Sequence, residues 1–388
     1  MIPENVVELL QVMVRCDTVN QSVSGVLKAE QRLAEILKGI AEEMGFETRY
    51  LPVDDGQADQ LLVTYQVGEG KPWVWFDSHM DTVSVAGMTI EPFGGEIKDG
   101  KMWGRGTCDT KGTGACMLWA MHAYKQSGCA ENNIALLFSI DEEEGMTGIR
   151  SFVRKDYEAI GIEPVGFVVG EPTKCEPIVR HNGVFRGEVW TYGKAAHSSE
   201  PENGVSAISA MARLLLKIEG EYIPTLNARD ELTGKAQMSM NKILGGESLN
   251  VIPDACLAYV DRRLVPGEKA ADAFREFEAF VADYTKREDE GLNYELKMTL
   301  AVPGMDAGED ERLLRGIQGV CEELGVRNEG LGVAYATHGG YLRETGQSVV
   351  VIGPGDIAQA HTKDEYVELE QIELGMKLYL GIMKAEMG

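Results

Sequence analysis

WVWFDSHMD at 73–81 is a short run of tryptophan, valine and phenylalanine that closes on a histidine and an aspartate. It is too short for a helix and too apolar for a strand with one wet face. It therefore reads as a strand buried on both sides, as in a parallel sheet. LLVTYQV at 61–67, NIALLFSI at 133–140 and VGFVVG at 165–170 have the same texture, and SVVVIG at 348–353 repeats it far downstream. Between and around them lie helical patterns at about 3–15, 24–44 (stopped by Gly45), 111–126, 309–324 and from 367 on. Strands alternating with helices predict an α/β fold, a mainly parallel sheet with helices on both faces.

After residue 180 the pattern changes. FRGEVWTYG, AQMSMNKI and CLAYVDRRLV alternate like strands with one wet face, accompanied by helices at about 204–218 and 268–287. This is the pattern of a small α+β layer with an antiparallel sheet and two helices. We expect a catalytic domain of residues 1–180 and 297–388, interrupted by an inserted domain at 181–296.

Composition narrows the function classes. The 388 residues are 44% hydrophobic and 26% charged, as in a globular protein. A formal charge of −25 disfavours nucleic acid and anionic membrane, which bind through Lys and Arg. No apolar run reaches the eighteen or so residues that span a bilayer, so no membrane partner is expected. MIPENVVELLQVMVR mixes acids with apolar residues and does not read as a signal peptide. Seven scattered cysteines without a C-x-x-C pair offer neither a disulfide framework nor a thiolate zinc knuckle, which fits a reducing cytoplasm.

The apolar strands share a feature at their exits. His79 follows WVWFDS, with Asp81 two residues on to hold the ring's other N–H. Asp109 stands in WGRGTCDTKG between glycines and ahead of a helix. SIDEEEG sets Asp141 to Glu144 directly after NIALLFSI, and GEPT sets Glu171 after VGFVVG. His361 comes after IGPGDIAQA. Each has a plain alternative when taken alone. His-x-Asp also reads as a polar pair facing water, Asp109 as a helix N-cap, and the acids as a solvated turn. Jointly, three strands that each release a histidine or acids, Asp109 in its glycine-bracketed loop, and His361 after a further strand point to cations. Imidazole and carboxylate without thiolate suit catalytic zinc, with Mn or Co as substitutes. Five such residues suit two ions with one carboxylate shared.

At this point the chain resembles the metal-dependent amidohydrolases that include acetylornithine deacetylase, succinyl-diaminopimelate desuccinylase, glutamate carboxypeptidases and aminoacylases. The motifs are HMDTV (79–83), GRGTCDTKG (104–112), DEEEG (141–145), GEPT (170–173), AAHSSEPENGVSAI (195–208), NVIPDACLAYVDRRLVPGE (250–268) and GPGDIAQAHTKDEY (353–366). The resemblance implies one ion on His79 and Glu171, another on Glu143 and His361, and Asp109 between them. It implies Asp81 as the orienter of His79 and Glu142 as general base. The third glutamate leaves a register shifted by one, towards Glu144, open. The resemblance further implies a homodimer formed by the inserted domain, His197 reaching the partner subunit's site as an oxyanion donor, and Asn250 and Arg263 holding substrate.

The implied substrate is a small N-acyl amino acid or a dipeptide, N-acetylornithine (arginine biosynthesis) first. His181-Asn182 replaces the arginine pair typical of the desuccinylase, which counts against a succinyl group. Thr337-His338-Gly339-Gly340 departs from the usual acid-containing loop. His181 and His338 are left without an assigned role, and His122 reads as structural. Two other classes compete. A dimeric binding protein without catalysis would tolerate the loss of a ligand, yet all five are present. A two-metal phosphoesterase would want a phosphate-cradling Gly-Lys loop, which is absent.

Overall fold

The computed structural model describes residues 2–53, 56–288 and 291–387. Two compact units divide the chain. One comprises Met1–Val179, Asp306–Leu331 and Thr337–Gly388; the other comprises Arg180–Met305 and Gly332–Ala336.

The first unit is organised around the strand Trp73–His79. It pairs in parallel with Asn133–Ser139 on one side and with Pro164–Val169 on the other. Pro164–Val169 in turn pairs in parallel with Ser348–Val351. Beyond Asn133–Ser139 the sheet turns antiparallel through Gln60–Tyr65 and Glu47–Leu51. Every residue of Asn133–Ser139, Pro164–Val169 and Ser348–Val351 is buried, as two covered faces require. Alternation along Trp73–His79 sends Val74 and Phe76 into a core shared with the helices Val6–Val14, Gln31–Glu43, Lys111–Ser127, Arg312–Leu324 and Leu369–Lys384. Trp75 points the opposite way, its ring 5.4 Å from Phe152 and 5.9 Å from Phe167. A fully buried side chain of this size contributes about 1.5–3 kcal/mol over its exposed state. The predicted mainly parallel sheet covered on both faces is the fold observed.

In the second unit the strands Gln237–Gly245, Ala255–Leu264, Gly183–Tyr192 and Asn293–Val302 form one antiparallel sheet in that order. Ala207–Lys217 and Ala270–Glu288 close one face over Phe185, Val189 and Val260, with Phe277 of the second helix in the same core. Arg186, on the other face, is exposed. The sequence reading ended this layer at 296, but Asn293–Val302 stays paired with Gly183–Tyr192. NYELKMTLAV alternates between exposed and half-buried positions along most of its length, the mark of a strand with one wet face. The second helix predicted near the start, 24–44, begins only at Gln31, after a single turn at Gln21–Ser24.

Among the described residues, no helix is long and apolar enough to cross a membrane.

Candidate metal centre

Parallel strands deliver their carboxyl ends to one edge of a sheet, and there the first unit gathers its histidines and acids. His79 ends its strand and is 2% exposed. Its Nδ1 donates to the Asp81 carbonyl at 3.0 Å, with the Asp81 carboxylate at 3.4 Å. Its Nε2 faces Asp109 Oδ1 at 3.2 Å. The other oxygen of Asp109 lies 3.4 Å from His361 Nε2, and that nitrogen is 2.9 Å from Glu143 Oε2. Asp109 is thus flanked by a histidine on each oxygen. It does not cap the helix Lys111–Ser127, whose N-cap residue is Thr110, without a side-chain capping bond.

The loop that carries Asp109 is held by its backbone. Glu365, fully buried, accepts from Cys108 N at 2.8 Å and Asp109 N at 3.0 Å through one oxygen. Its other oxygen accepts from Arg105 Nη1 at 2.7 Å and Gly106 N at 3.2 Å. Gly106 has φ +81°, and a Cβ there would lie 2.8 Å from Thr82 Cγ2, so the bend requires glycine. The sequence reading missed Glu365, although it lies inside the KDEY stretch already singled out.

The acidic turn divides its labour. Asp141 accepts from Asn20 Nδ2 at 2.8 Å and from Thr147 Oγ1 at 2.6 Å. Asn20 also donates to Asp81 at 2.9 Å. The Asp81 carboxylate accepts from Glu142 N at 3.0 Å and Glu143 N at 3.2 Å, so it fixes the turn as well as facing His79. Glu143 Oε1 is buried and has no partner among the described residues. Glu144 is exposed. Glu171 is buried just after its strand, and Asp109 and Glu142 are among its charged neighbours.

Electrostatics show what this group of side chains lacks. Burial, then repulsion from Asp109, pushes Glu143 up to about 8. Burial and the neighbouring acids push Glu171 well above the usual carboxylate range. Burial works against ionisation of Asp109, yet hydrogen bonds from His361 and His79 hold it below that range. Hydrogen bonds that His361 donates to Asp109 and Glu143 raise it to about 10. The protons that Glu143 and Glu171 hold in so crowded a group are ones that divalent cations would displace. His79, Asp109 and Glu143 each offer one ligand atom within 4.8 Å of one another. Imidazole, carboxylate and an orphaned carboxylate oxygen fit a hard-to-borderline cation such as Zn²⁺ or Mn²⁺.

A sequence profile of peptidase family M20/M25/M40 matches residues 75–385. The chain belongs to that family. This M20 family member is a metal-dependent hydrolase of amide or peptide bonds. It is 30% identical over 310 residues to acetylornithine deacetylase of Myxococcus xanthus, covering 79% of this chain and 78% of the relative. Its fold is that of an M20 metallo-carboxypeptidase from Sulfolobus solfataricus, with a TM-score of 0.80 at 14% identity over 99% of both chains. A Bacillus subtilis M20 peptidase described as dinuclear metal binding aligns with a TM-score of 0.67 at 16% identity, over 99% of this chain and 98% of that one.

The predicted substrate-handling residues of the M20 chain, His197, Asn250 and Arg263, lie in the second unit. His197 pairs with Val251 across a two-residue ladder, and Ser198 N donates to the Asn250 carbonyl at 3.0 Å, so His197 and Asn250 are neighbours. His197 is exposed, its Nδ1 2.7 Å from Ser199 Oγ. Arg263 Nε donates to Asp261 Oδ1 at 2.7 Å. His181 is buried, and burial pushes it down to about 4, so it is neutral, with Nδ1 donating to the Asn182 carbonyl. His122 lies on the helix Lys111–Ser127, its ring 5.4 Å from that of Trp119.

The shifts fix a sign for pH dependence. Glu143 and His361 bind protons more tightly in the folded metal-free chain than when unfolded, where they titrate near 4.5 and 6.5. Their stabilising contribution is complete below those values and disappears as pH rises through about 8 and about 10. The metal-free protein should therefore lose Tm between pH 6 and 9. The zinc-loaded protein should not, because deprotonation favours its ligands. Thermal melts with and without chelator test this; a metal-free Tm that climbs across the window contradicts it.

Proposed function

We propose that the chain hydrolyses the amide bond of a small N-acyl amino acid, with N-acetylornithine-type deacetylation as the first candidate. The observation that carries the reading is Asp109, buried, with one oxygen towards His79 and the other towards His361. The deacetylase relatives support the acetyl preference.

His79 and Glu171 would hold one divalent ion and Glu143 and His361 a second, with Asp109 between them; zinc is the first choice and cobalt or manganese the substitutes. Such ions, when bound, polarise a carbonyl and lower the pKa of water from 15.7 towards about 7. Asp81 fixes the tautomer of His79 by engaging Nδ1, and it orients the turn that presents Glu142. Burial lifts Glu142 above the usual carboxylate range, closer to the pKa that suits a general base at neutral pH. Glu142 would take the proton of the attacking water and pass it to the leaving amine. His197, Asn250 and Arg263 are proposed to handle substrate, with His197 acting as an oxyanion donor in a homodimer. The seven cysteines are all free, which supports a cytoplasmic setting.

A release assay across N-acetylornithine, N-succinyl-diaminopimelate, N-acetylmethionine and small dipeptides decides the substrate. The expected result is chelator-sensitive release of amine, fastest from an acetylated amino acid. Preference for the succinyl compound or a dipeptide would overturn the acetyl assignment. Absence of any chelator-sensitive hydrolysis would overturn the whole reading.

A further inference from the structure

The loop that carries Asp109 also carries a buried cation. The Arg105 side chain is 3% exposed and that of its partner Glu365 is 1% exposed. A guanidinium so enclosed needs acceptors for its N–H groups. Nη1 donates to Glu365, which by itself balances the charge. Nη2 reaches elsewhere, donating to the Ser84 carbonyl at 2.9 Å and to the Thr362 carbonyl at 3.1 Å. Ser84 lies a few residues past His79, and Thr362 directly follows His361. One planar group therefore joins the chain beyond the His79 strand, the Asp109 loop and the segment that presents His361.

His361 needs such an anchor. Its φ of +60° puts a residue other than glycine in the left-handed region, which persists only where the surroundings hold it. His361 is exposed, so burial does little to fix it. The bonds beside it are local: Ala360 N donates to the Ile357 carbonyl at 3.1 Å, and Thr362 Oγ1 to the Gln359 carbonyl at 2.8 Å. They shape the turn without placing it against the rest of the unit. Ties to more distant segments come from Arg105 and from Asp364, which accepts from Thr89 N at 2.9 Å and Thr89 Oγ1 at 2.5 Å. The Thr89 bonds are exposed to water, whereas the guanidinium is buried.

We infer that Arg105 is a positioning residue for the ion on Glu143 and His361. Its Nη2 fixes the Thr362 carbonyl, and through it the backbone that aims the His361 ring at Asp109 and Glu143. The inference rests on the ligand assignment proposed above. Lysine at this position would keep a charge for Glu365, which would still accept from Cys108 N and Asp109 N. A single ammonium nitrogen does not reproduce two nitrogens held apart in one plane, so the bond to Thr362 would be lost. R105K should therefore leave the Asp109 loop in place and loosen His361 alone. Groups that orient a metal ligand in this way typically account for about 10–100-fold in affinity.

The test titrates zinc into the metal-free full chain, with wild type, R105K, H361A and R105K/H361A side by side. Calorimetry reads the affinities. The ¹⁵N ring resonances of His79 and His361, each assigned by its loss in the alanine variant, report which ion is entering. Wild type should bind two zinc. In R105K the ion that moves the His361 resonance should bind about 10–100-fold more weakly, while the ion that moves His79 keeps its wild-type affinity. H361A should bind one ion, and adding R105K to it should change nothing, because a residue acting through His361 has no effect once that ring is gone. Metal-free melts of wild type and R105K should nearly coincide. Equal weakening of both ions, a further loss in the double variant or a lost melting transition would make Arg105 a general support of the fold and overturn the inference. Wild-type affinity for both ions in R105K would overturn it as well. A wild type that binds fewer than two zinc would overturn the ligand assignment, and this inference with it, a result distinct from two zinc held normally by R105K.

Discussion

Glu142→Gln is expected to keep both metal ions and lose turnover by about 10²–10⁴-fold, the range of a positioned general base. Glutamine preserves the shape and the backbone amide that Asp81 holds at 3.0 Å, so the acidic turn should keep its conformation. Only the capacity to accept a proton is removed. At about 1.36 kcal/mol per tenfold, the loss is about 3–5 kcal/mol of transition-state stabilisation. It should appear in kcat rather than KM, because the proton moves only as water attacks. The matching measurements are steady-state kinetics and metal content on one preparation. Near-wild-type turnover would move the base to another residue, and Glu144, exposed on the same turn, would be examined next.

Asp109→Asn should have the opposite signature in metal content. Asp109 presents an oxygen to each of two histidines, at 3.2 and 3.4 Å. Asparagine replaces one of those oxygens with an NH₂ donor and removes the negative charge that holds His361 up at about 10. With a donor facing one histidine and no carboxylate to share, the centre should bind one ion at most. Turnover should fall at least as far as in Glu142→Gln. Two metals per chain with substantial activity would show that Asp109 does not bridge. Measured side by side, the two variants separate a centre that is assembled but lacks its base from one that is not assembled.

The exits of the apolar strands were readable because a parallel sheet turns sequence texture into position. Any residue just after WVWFDS, NIALLFSI or VGFVVG must emerge at the same edge. His79, Glu143 and Glu171 could be placed together on that argument alone. Asp109 could not, since an acid ahead of a helix reads equally well as a cap; only the two histidines facing it decide. Partners distant in the chain were not readable at all. Glu365 bonds to Cys108 across 257 residues, and Asp77 meets His338 across 261. Asp77 did carry a signal, as an acid inside a buried strand, but nothing local names its partner. The edge strand Glu47–Leu51 was missed because ETRYL is exposed or half-buried until its last residue and has no apolar run. Asn293–Val302 was divided for the opposite reason: its alternation is regular, but a boundary was drawn through it.

The clamp that Glu365 places on residues 105–109 also bears on how the protein is made. During synthesis the His79 strand and the Asp109 loop leave the ribosome long before Glu365 does, and the whole second unit is translated in between. Until Glu365 arrives, the amides of Gly106, Cys108 and Asp109 lack their acceptor, and His361 has not yet been added opposite Asp109. A nascent chain therefore carries His79, Asp109, Glu143 and Glu171 but lacks both His361 and the clamp on the Asp109 loop. Completion of the proposed two-ion centre would then be a late event of biogenesis, waiting for the distant C-terminal segment to join the early strands.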